Sequence, residues 1–244
     1  PDPFELFDEF GTDAVRFGIM LMAPQGLDVL FSKDRLEIGR NFMNKLWNAC
    51  RFIQMNIPEE WGNEIQLEKA ELDLPEQWIL SRLSITIQDY NQKLERFHFN
   101  EAVKVLYEFI WSDFCDWYVE IAKTRFYGED DSKANISRTI ALKCIRTVLA
   151  LLHPYAPFIT EELWNHFKQE GAFDLIISPW PKSGSLQNET AEMDMSLLQD
   201  VITSIRSVRS RRNIQPSKFF DLVVRCIGKQ ESFLNDHAAL LRSL

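Results

Sequence analysis

Residues 40–53 carry polar side chains at a spacing that suits recognition of a ligand better than catalysis. A helix turns about 100° per residue, so a helix over this stretch has two different faces. One face carries Arg40, Asn44, Asn48 and Arg51, bordered by Asn41 and Trp47, and the other carries Phe42, Leu46, Ala49, Cys50 and Ile53. The second face is predicted to lie in the core.

The residue types on the polar face are unusual for an exposed helix. Asparagine is a poor helix former, yet this face has three, and no carboxylate lies between Arg40 and Arg51. Planar amides beside fixed cations indicate recognition of a polar, anionic partner. The alternative is a solvated face whose amides hydrogen-bond to neighbouring helices.

A second basic cluster lies at the end of a predicted helix over residues 192–212. It comprises Arg206, Arg209, Arg211 and Arg212, and no acidic residue lies between Val201 and Phe220. Cations are favoured at a helix C-terminus by the helix dipole. Arginines also suit contacts with nucleic-acid phosphates. The pattern alone leaves both interpretations open.

Three carboxylates, Asp113, Asp116 and Glu120, follow one flank of another predicted helix. Paired acids could serve general acid–base catalysis. Their helical spacing and the nearby Lys123 and Arg125 favour ion pairs instead. We therefore predict no catalytic residues in this chain.

The cysteines and histidines are scattered along the sequence. They are Cys50, Cys115, Cys144, Cys226, His98, His153, His166 and His237. No Cys-x-x-Cys spacing or paired histidine is present, so we predict no metal site and reduced thiols, as in a cytoplasmic protein. The net charge of −9 argues against indiscriminate nucleic-acid binding, although a local basic surface remains compatible with it.

Hydrophobic periodicity predicts a mainly helical chain of one or two domains. The expected helices cover 4–10, 13–22, 33–55, 74–97, 101–127, 133–152, 158–168, 192–212 and 229–244. Residues 175–177 are expected to be extended, 182–187 a flexible linker and 219–227 a strand. Thr12, Ser32 and Asn100 are expected N-caps. No apolar run approaches the length of a membrane span, and no signal peptide is evident.

Four segments, in register, resemble the valyl-tRNA synthetase family. The anticodon-binding helix of that family is similar to Arg40-Asn41-Phe42, 44–49 and Arg51-Phe52. The family's next block is similar to 114–118 with Glu120 and Lys123. The block after that is similar to 152–164. Residues 11–17 with Ala23-Pro24 and Asp28 resemble the segment that follows the Lys-Met-Ser-Lys-Ser signature of class I synthetases. Isoleucyl and leucyl enzymes share the 152–164 block, but Asn-Lys-Leu-Trp-Asn-Ala fits the valyl family best. Residues 25–28 depart from the pattern, since glycine is expected directly after the proline.

The resemblance implies a helical bundle of the class I synthetase anticodon-binding type with a small C-terminal α/β element. Residues 1–32 would connect to a catalytic domain, 33–187 would form the bundle, and 188–244 would form an α-β-α element leading to a missing coiled-coil arm. The His-Ile-Gly-His and Lys-Met-Ser-Lys-Ser signatures do not occur. We therefore expect a catalytically inactive fragment whose catalytic and editing domains lie upstream.

The implied function is anticodon recognition within a valine–tRNA ligase, which uses ATP and Mg²⁺ while the fragment itself holds no cofactor. The expected partner is a valine tRNA, with no membrane or DNA partner, and the fragment is expected to be cytoplasmic and monomeric. Asn41, Asn44 and Asn48 would read base edges. Arg40, Lys45 and Arg51 would take phosphates or stack, Trp47 or Phe52 would stack on bases, and Arg206, Arg209 and Arg212 would contact the RNA backbone.

Two rival interpretations remain open. The chain could be the corresponding domain of an isoleucyl- or leucyl-tRNA synthetase. It could also be a helical scaffold that binds a protein through exposed Trp and Phe side chains. The salt dependence of binding affinity distinguishes the protein scaffold from the tRNA-binding interpretations, because phosphate contacts weaken steeply as the salt concentration rises.

Overall fold

The computed structural model describes residues 2–23, 26, 31–58, 65–184, 186–215, 218, 221, 223–225, 228 and 230–243. The regular elements of this part of the chain are all helical. The α-helices are α1 (Pro3–Phe10), α2 (Thr12–Met22), α3 (Lys33–Met55), α4 (Leu74–Glu95), α5 (Phe99–Glu108), α6 (Val119–Phe126), α7 (Asp131–Leu152), α8 (Pro157–Phe167), α9 (Glu189–Arg211), α10 (Gln230–Asp236) and α11 (Ala238–Ser243). A π-helix covers Phe109–Tyr118, and single 3₁₀ turns cover Leu67–Lys69 and Leu175–Ile177.

The predicted mainly α, bundle-type fold is confirmed, as are most of the predicted helices. The strand expected at 219–227 is not shown, because most of that stretch lies outside the described residues and 221 and 223–225 form no strand there. Residues 175–177 are a 3₁₀ turn and not extended. Leu175 is buried, whereas Ile176 and Ile177 are exposed, so only the first residue of this apolar run packs against the core.

Two of the predicted N-caps are wrong. Gly11 (φ 90°) ends α1 and immediately precedes α2, which begins at Thr12 itself. The single-residue connection leaves Thr12 no room to cap. Likewise α5 begins at Phe99 after His98, so Asn100 lies inside the helix. Ser32 is the residue before α3, as predicted, but its side chain makes no capping hydrogen bond.

A single large apolar core lies between α2–α9 and the π-helix. The predicted core face of α3 is confirmed, because Phe42, Leu46, Ala49, Cys50 and Ile53 are all buried. The Phe42 ring stacks on Phe17 of α2, with 4.5 Å between ring centroids. A smaller cluster of Leu6, Phe10, Ala14, Val15 and Leu36 fixes α1 to α2 and α3.

The predicted continuous helix over 101–127 is interrupted by the π-helix. Its i→i−5 bonding is visible where the Val119 N–H donates to the Phe114 carbonyl. The wider turn splits the predicted carboxylate stripe. Asp113 pairs with Arg82 of α4 (2.8 Å), and Asp116 pairs with Lys45 of α3 (2.5 Å).

Only part of the ion-pair prediction for this stripe therefore holds. Glu120 pairs with Lys123 as expected, at 2.5 Å. Arg125 instead reaches Asp73 and Glu76 at the start of α4, each at 3.1 Å. Asp113 and Asp116 thus join the π-helix to α4 and α3, whereas the Glu120–Lys123 pair lies within α6.

Helix α9 and the segment before it pack along α4. The Ser84 hydroxyl donates to the Gly184 carbonyl (2.6 Å), and the Gln187 amide donates to Gln88 (2.8 Å). Glu192 of α9 accepts from the Ser81 hydroxyl and lies 3.6 Å from Arg82. Gly184 and Gln187 of the predicted linker are thus hydrogen-bonded to α4.

Candidate nucleic-acid interface

The polar face of α3 lies open to solvent. Asn41, Asn44, Asn48 and Arg51 are exposed, and none has a side-chain hydrogen bond or ion pair with another described residue. The sequence alternative, in which these amides bond to neighbouring helices, therefore lacks support among the described residues. Each asparagine amide keeps both its donor and its acceptor available.

The two aromatic candidates on α3 differ in their surroundings. Trp47 is 38 % exposed and has no ring partner in the described part of the chain. Phe52 is half-buried, and its ring stacks on Phe126 with 6.1 Å between centroids. The Lys123 ammonium lies 5.3 Å from the Phe52 ring centre. Phe52 is thus engaged within the bundle, whereas Trp47 is available to a ligand.

The two flanking cations of α3 are each held by an aromatic ring. The Lys45 ammonium lies 3.8 Å from the centre of the Trp111 ring while it pairs with Asp116. The Arg40 guanidinium lies 5.4 Å from the centre of the Phe10 ring. Its ion pair with Glu37 is long (3.6 Å), and 43 % of its side chain is exposed. Arg40 is therefore the more accessible of the two charges.

The arginines of the basic cluster on α9 also differ in how they contact other groups. Arg206 lies over the Trp117 ring at 5.2 Å, and Arg209 donates to the carbonyls of Gln215 (2.7 Å) and Lys218 (3.2 Å). Arg211 and Arg212 are exposed at the end of the helix. Since Lys45 and Arg206 both contact the π-helix, α3 and the end of α9 flank the same segment.

A groove of about 290 Å³ runs beside the polar face of α3. It is lined by Phe10, Gly11, Thr12, Asp13, Ala14, Arg40, Met43, Asn44, Phe158 and Ile159. Phe158 is the second residue of α8 and has 66 % of its surface exposed, although its sequence context is apolar. Sequence reasoning missed it because an apolar residue at the start of a helix is typical of the core.

Asp13 and Arg16 of α2 fix α8 beside this groove. The Asp13 carboxylate accepts hydrogen bonds from the backbone N–H groups of Ile159 (2.6 Å) and Phe158 (3.4 Å). Arg16 donates to the carbonyls of Tyr155 (3.2 Å) and Pro154 (3.0 Å). Burial raises the pKa of Asp13, against the lowering effect of these N–H groups and Arg16.

Three cysteines of the described residues, Cys50, Cys115 and Cys144, are buried free thiols. Burial raises the pKa of Cys115 and of Cys144 to about 12, so neither is a thiolate near neutral pH. Among the described residues, no group of His, Cys, Asp or Glu is arranged to hold a metal ion.

Among the described helices, none combines the length and the apolarity that a membrane span requires.

A helical bundle that presents unpaired amides and cations on one face is an arrangement suited to nucleic-acid binding. The family model described as the anticodon-binding domain of tRNA ligase matches residues 76–224. This range is more than half of the chain, so the chain belongs to that family. The match begins within α4, and α3 precedes it.

Similarity to full-length relatives extends over α3 as well. The chain is 40 % identical over 236 residues to a valine–tRNA ligase of Fusobacterium nucleatum, covering 95 % of the chain and 26 % of the relative. It is 42 % identical over 250 residues to one of Dehalococcoides mccartyi, covering 100 % and 28 %. The chain thus spans about a quarter of the length of these relatives.

Two solved structures share the fold. The LeuRS–tRNA–LeuAMS complex of Agrobacterium radiobacter aligns with a TM-score of 0.57 at 19 % identity, covering 91 % of this chain and 28 % of that one. Mycobacterium tuberculosis methionyl-tRNA synthetase in its free state aligns with a TM-score of 0.56 at 16 % identity, covering 68 % and 34 %. These likenesses establish the helical architecture.

Proposed function

We propose that this chain recognises the anticodon loop of a valine tRNA as part of a valine–tRNA ligase. The observation that carries the proposal is the exposed, unpartnered stripe of Asn41, Asn44, Asn48 and Arg51 on α3. Proteins read unpaired RNA bases through hydrogen bonds to base edges and through stacking. The asparagines supply the first kind of contact and Trp47 the second.

The cations have two proposed roles in RNA binding. Arg40 and Arg51 contact phosphates or stack beside the asparagines, and Arg206, Arg209 and Arg212 grip the RNA backbone near the end of α9. Lys45 and Phe52 also belong to the proposed contact surface. Their contacts with Trp111, Asp116 and Phe126 favour a supporting role in which they hold the surface in place.

The proposed parent enzyme activates valine with ATP and Mg²⁺ and transfers it to the tRNA. The relatives with which this chain shares about 40 % identity carry that ligase name. The chain itself would hold neither ATP nor Mg²⁺. We further propose that residues 1–32 serve as a connection, 33–187 as the bundle and 188–244 as the C-terminal element, and that the chain is a cytoplasmic monomer.

The proposal is tested by measuring the affinity of the chain for a valine tRNA anticodon stem–loop and for one with an altered anticodon. Both affinities are measured at two salt concentrations. We expect tighter binding of the valine anticodon, with Asn44→Ala and Asn48→Ala each losing about 1–3 kcal/mol of discrimination. Asn100→Ala on α5 is the matched control, because Asn100 lies outside the stripe and the groove. Affinity should fall by about 0.7 log units per phosphate contact for each tenfold rise in salt.

Two results would count against this function. Equal affinity for both anticodons would leave only a grip on the RNA backbone. Salt-independent binding would point to an apolar interface and to the protein-scaffold interpretation.

A further inference from the structure

The groove between α2, α3 and α8 has no assigned ligand. Its volume, about 290 Å³, lies just below the range for sites of drug-sized molecules, roughly 300–1,000 Å³. It can therefore accept one small planar group and is too small for a folded element of a partner.

The groove combines an aromatic surface with a polar wall. Phe158 exposes two thirds of its side chain at one side, and the apolar Phe10 and Met43 also contribute to the lining. On the α3 side lie the unpartnered amide of Asn44 and the guanidinium of Arg40, held over Phe10. A flat ligand with a hydrogen-bonding edge and a neighbouring negative charge matches these three features.

The start of α8 is not itself the binding feature. Its first N–H groups already donate to Asp13, so they are not free to bind an anion. The same bonds, with Arg16 nearby, offset the negative charge that Asp13 would otherwise present to RNA. The anionic part of a ligand is thus directed to Arg40, away from the helix terminus.

We propose that this groove takes a single unpaired nucleobase, which stacks on Phe158 while its edge meets Asn44 and its phosphate meets Arg40. The inference rests on the proposed function, because it names a base subsite on the same RNA-binding face. It adds α8 to the interface and extends the surface beyond the stripe on α3.

Phe158→Ala measures the stacking contribution. Loss of a base-stacking ring weakens binding to the stem–loop RNA by about 5- to 150-fold. Phe158→Tyr keeps the ring and should retain affinity. Phe173→Ala removes a ring that is similarly exposed (65 %) but lies outside the groove, and it should bind like the parent chain. Far-UV circular dichroism checks that each variant is folded.

An abasic scan of the RNA loop identifies the base that occupies the groove. Each unpaired base is removed in turn, and every RNA is bound to the parent chain and to Phe158→Ala. At one position the two changes should be non-additive, because each removes the same stack. Additive losses of affinity at every position would overturn the proposal. Unchanged RNA binding by Phe158→Ala would also overturn it and would favour contact of Phe158 with a protein partner.

The scan also separates this inference from the proposed function. Non-additivity at one base without discrimination between anticodons would support the groove and reject anticodon reading. Discrimination that depends on Asn44 but not on Phe158 would support anticodon reading and reject the groove. Absence of RNA binding by the parent chain would overturn both.

Discussion

At the scale of single residues, Asp13 has a larger structural role than its position in the sequence suggests. It lies in the first turn of α2, where the helix dipole already favours a carboxylate. Its oxygens, however, bond to α8, about 145 residues further along the chain. One side chain therefore serves as the N-terminal cap of a distant helix and fixes the position of Phe158.

Asp13→Ala should lower the free energy of unfolding by about 0.5–2 kcal/mol, the usual effect of losing an N-cap. Urea denaturation measures the change. Asp8→Ala is the control, because Asp8 is exposed on α1 and has no described partner. Its effect should stay within about 0.5 kcal/mol. Equal effects of the two substitutions would show that the bonds to α8 contribute nothing to stability.

At the scale of secondary structure, α2 and α3 cross closely, so that α2 lies against the helix that we propose binds RNA. Gly39 of α3 faces α2 so closely that a Cβ there would overlap the carbonyl oxygen of Ala14. Gly18 of α2 lies against α3 in the same manner, since an added Cβ would lie 2.9 Å from the Arg35 carbonyl oxygen. Both glycines permit a backbone approach that any side chain would prevent.

Gly39→Ala should destabilise the chain even though alanine favours helices by about 1 kcal/mol over glycine. The backbone carbonyl of Ala14 cannot rotate away, so we expect a net loss of about 1–2 kcal/mol from overpacking. Gly184→Ala is the control, because a Cβ there meets no atom within 4 Å. Thermal unfolding of both variants checks the difference, and a Gly39→Ala variant as stable as the parent would refute the close crossing.

The sequence predicts elements well where the determining pattern is local. The apolar stripe of α3 alone determines which face is buried, and the prediction is confirmed from Phe42 to Ile53. The π-helix could not be predicted in this way. Its carboxylates find partners on other helices, Arg82 at a separation of 31 residues and Lys45 at 71, so packing determines its turn.

The same distinction applies to the candidate site. Asn44 and Asn48 could be singled out because their type is unusual on an exposed helix face, and they are exposed as expected. Phe158 could not, because its apolar type fits both a core and a surface position. Only the position of α8, set by Asp13 and Arg16, shows that its ring faces solvent beside Arg40.

At the scale of the whole molecule, buried or half-buried carboxylates join the helices at three separate places. Asp13 links α2 to α8, Asp113 links the π-helix to α4, and Glu76 links α4 to α6 and α7 through Arg125 (3.1 Å) and Ser137 (3.0 Å). Burial raises the pKa of each carboxyl, although neighbouring cations or N–H groups partly oppose it. Folding therefore shifts the protonation equilibrium of all three groups towards the protonated form.

These raised pKa values predict that mild acidification stabilises the chain. A carboxyl whose pKa is higher in the folded state takes up a proton on folding at pH values between its two pKa values. Its contribution to stability therefore grows as the pH falls from the raised value towards the ordinary one, 4.5 for Glu76. The net charge of −9 acts in the same direction, because protonation reduces self-repulsion.

We expect the free energy of unfolding, measured by urea denaturation, to be larger at pH 5 than at pH 7. Glu76→Gln should reduce this increase, because it removes the titrating group while keeping a hydrogen-bond acceptor for Ser137. Glu101→Gln is the control: the hydrogen bond from Lys93 holds the pKa of Glu101 below its ordinary value, so its contribution is lost only at lower pH. A pH-dependent increase of equal size in the parent and in Glu76→Gln would show that Glu76 titrates normally in the folded chain.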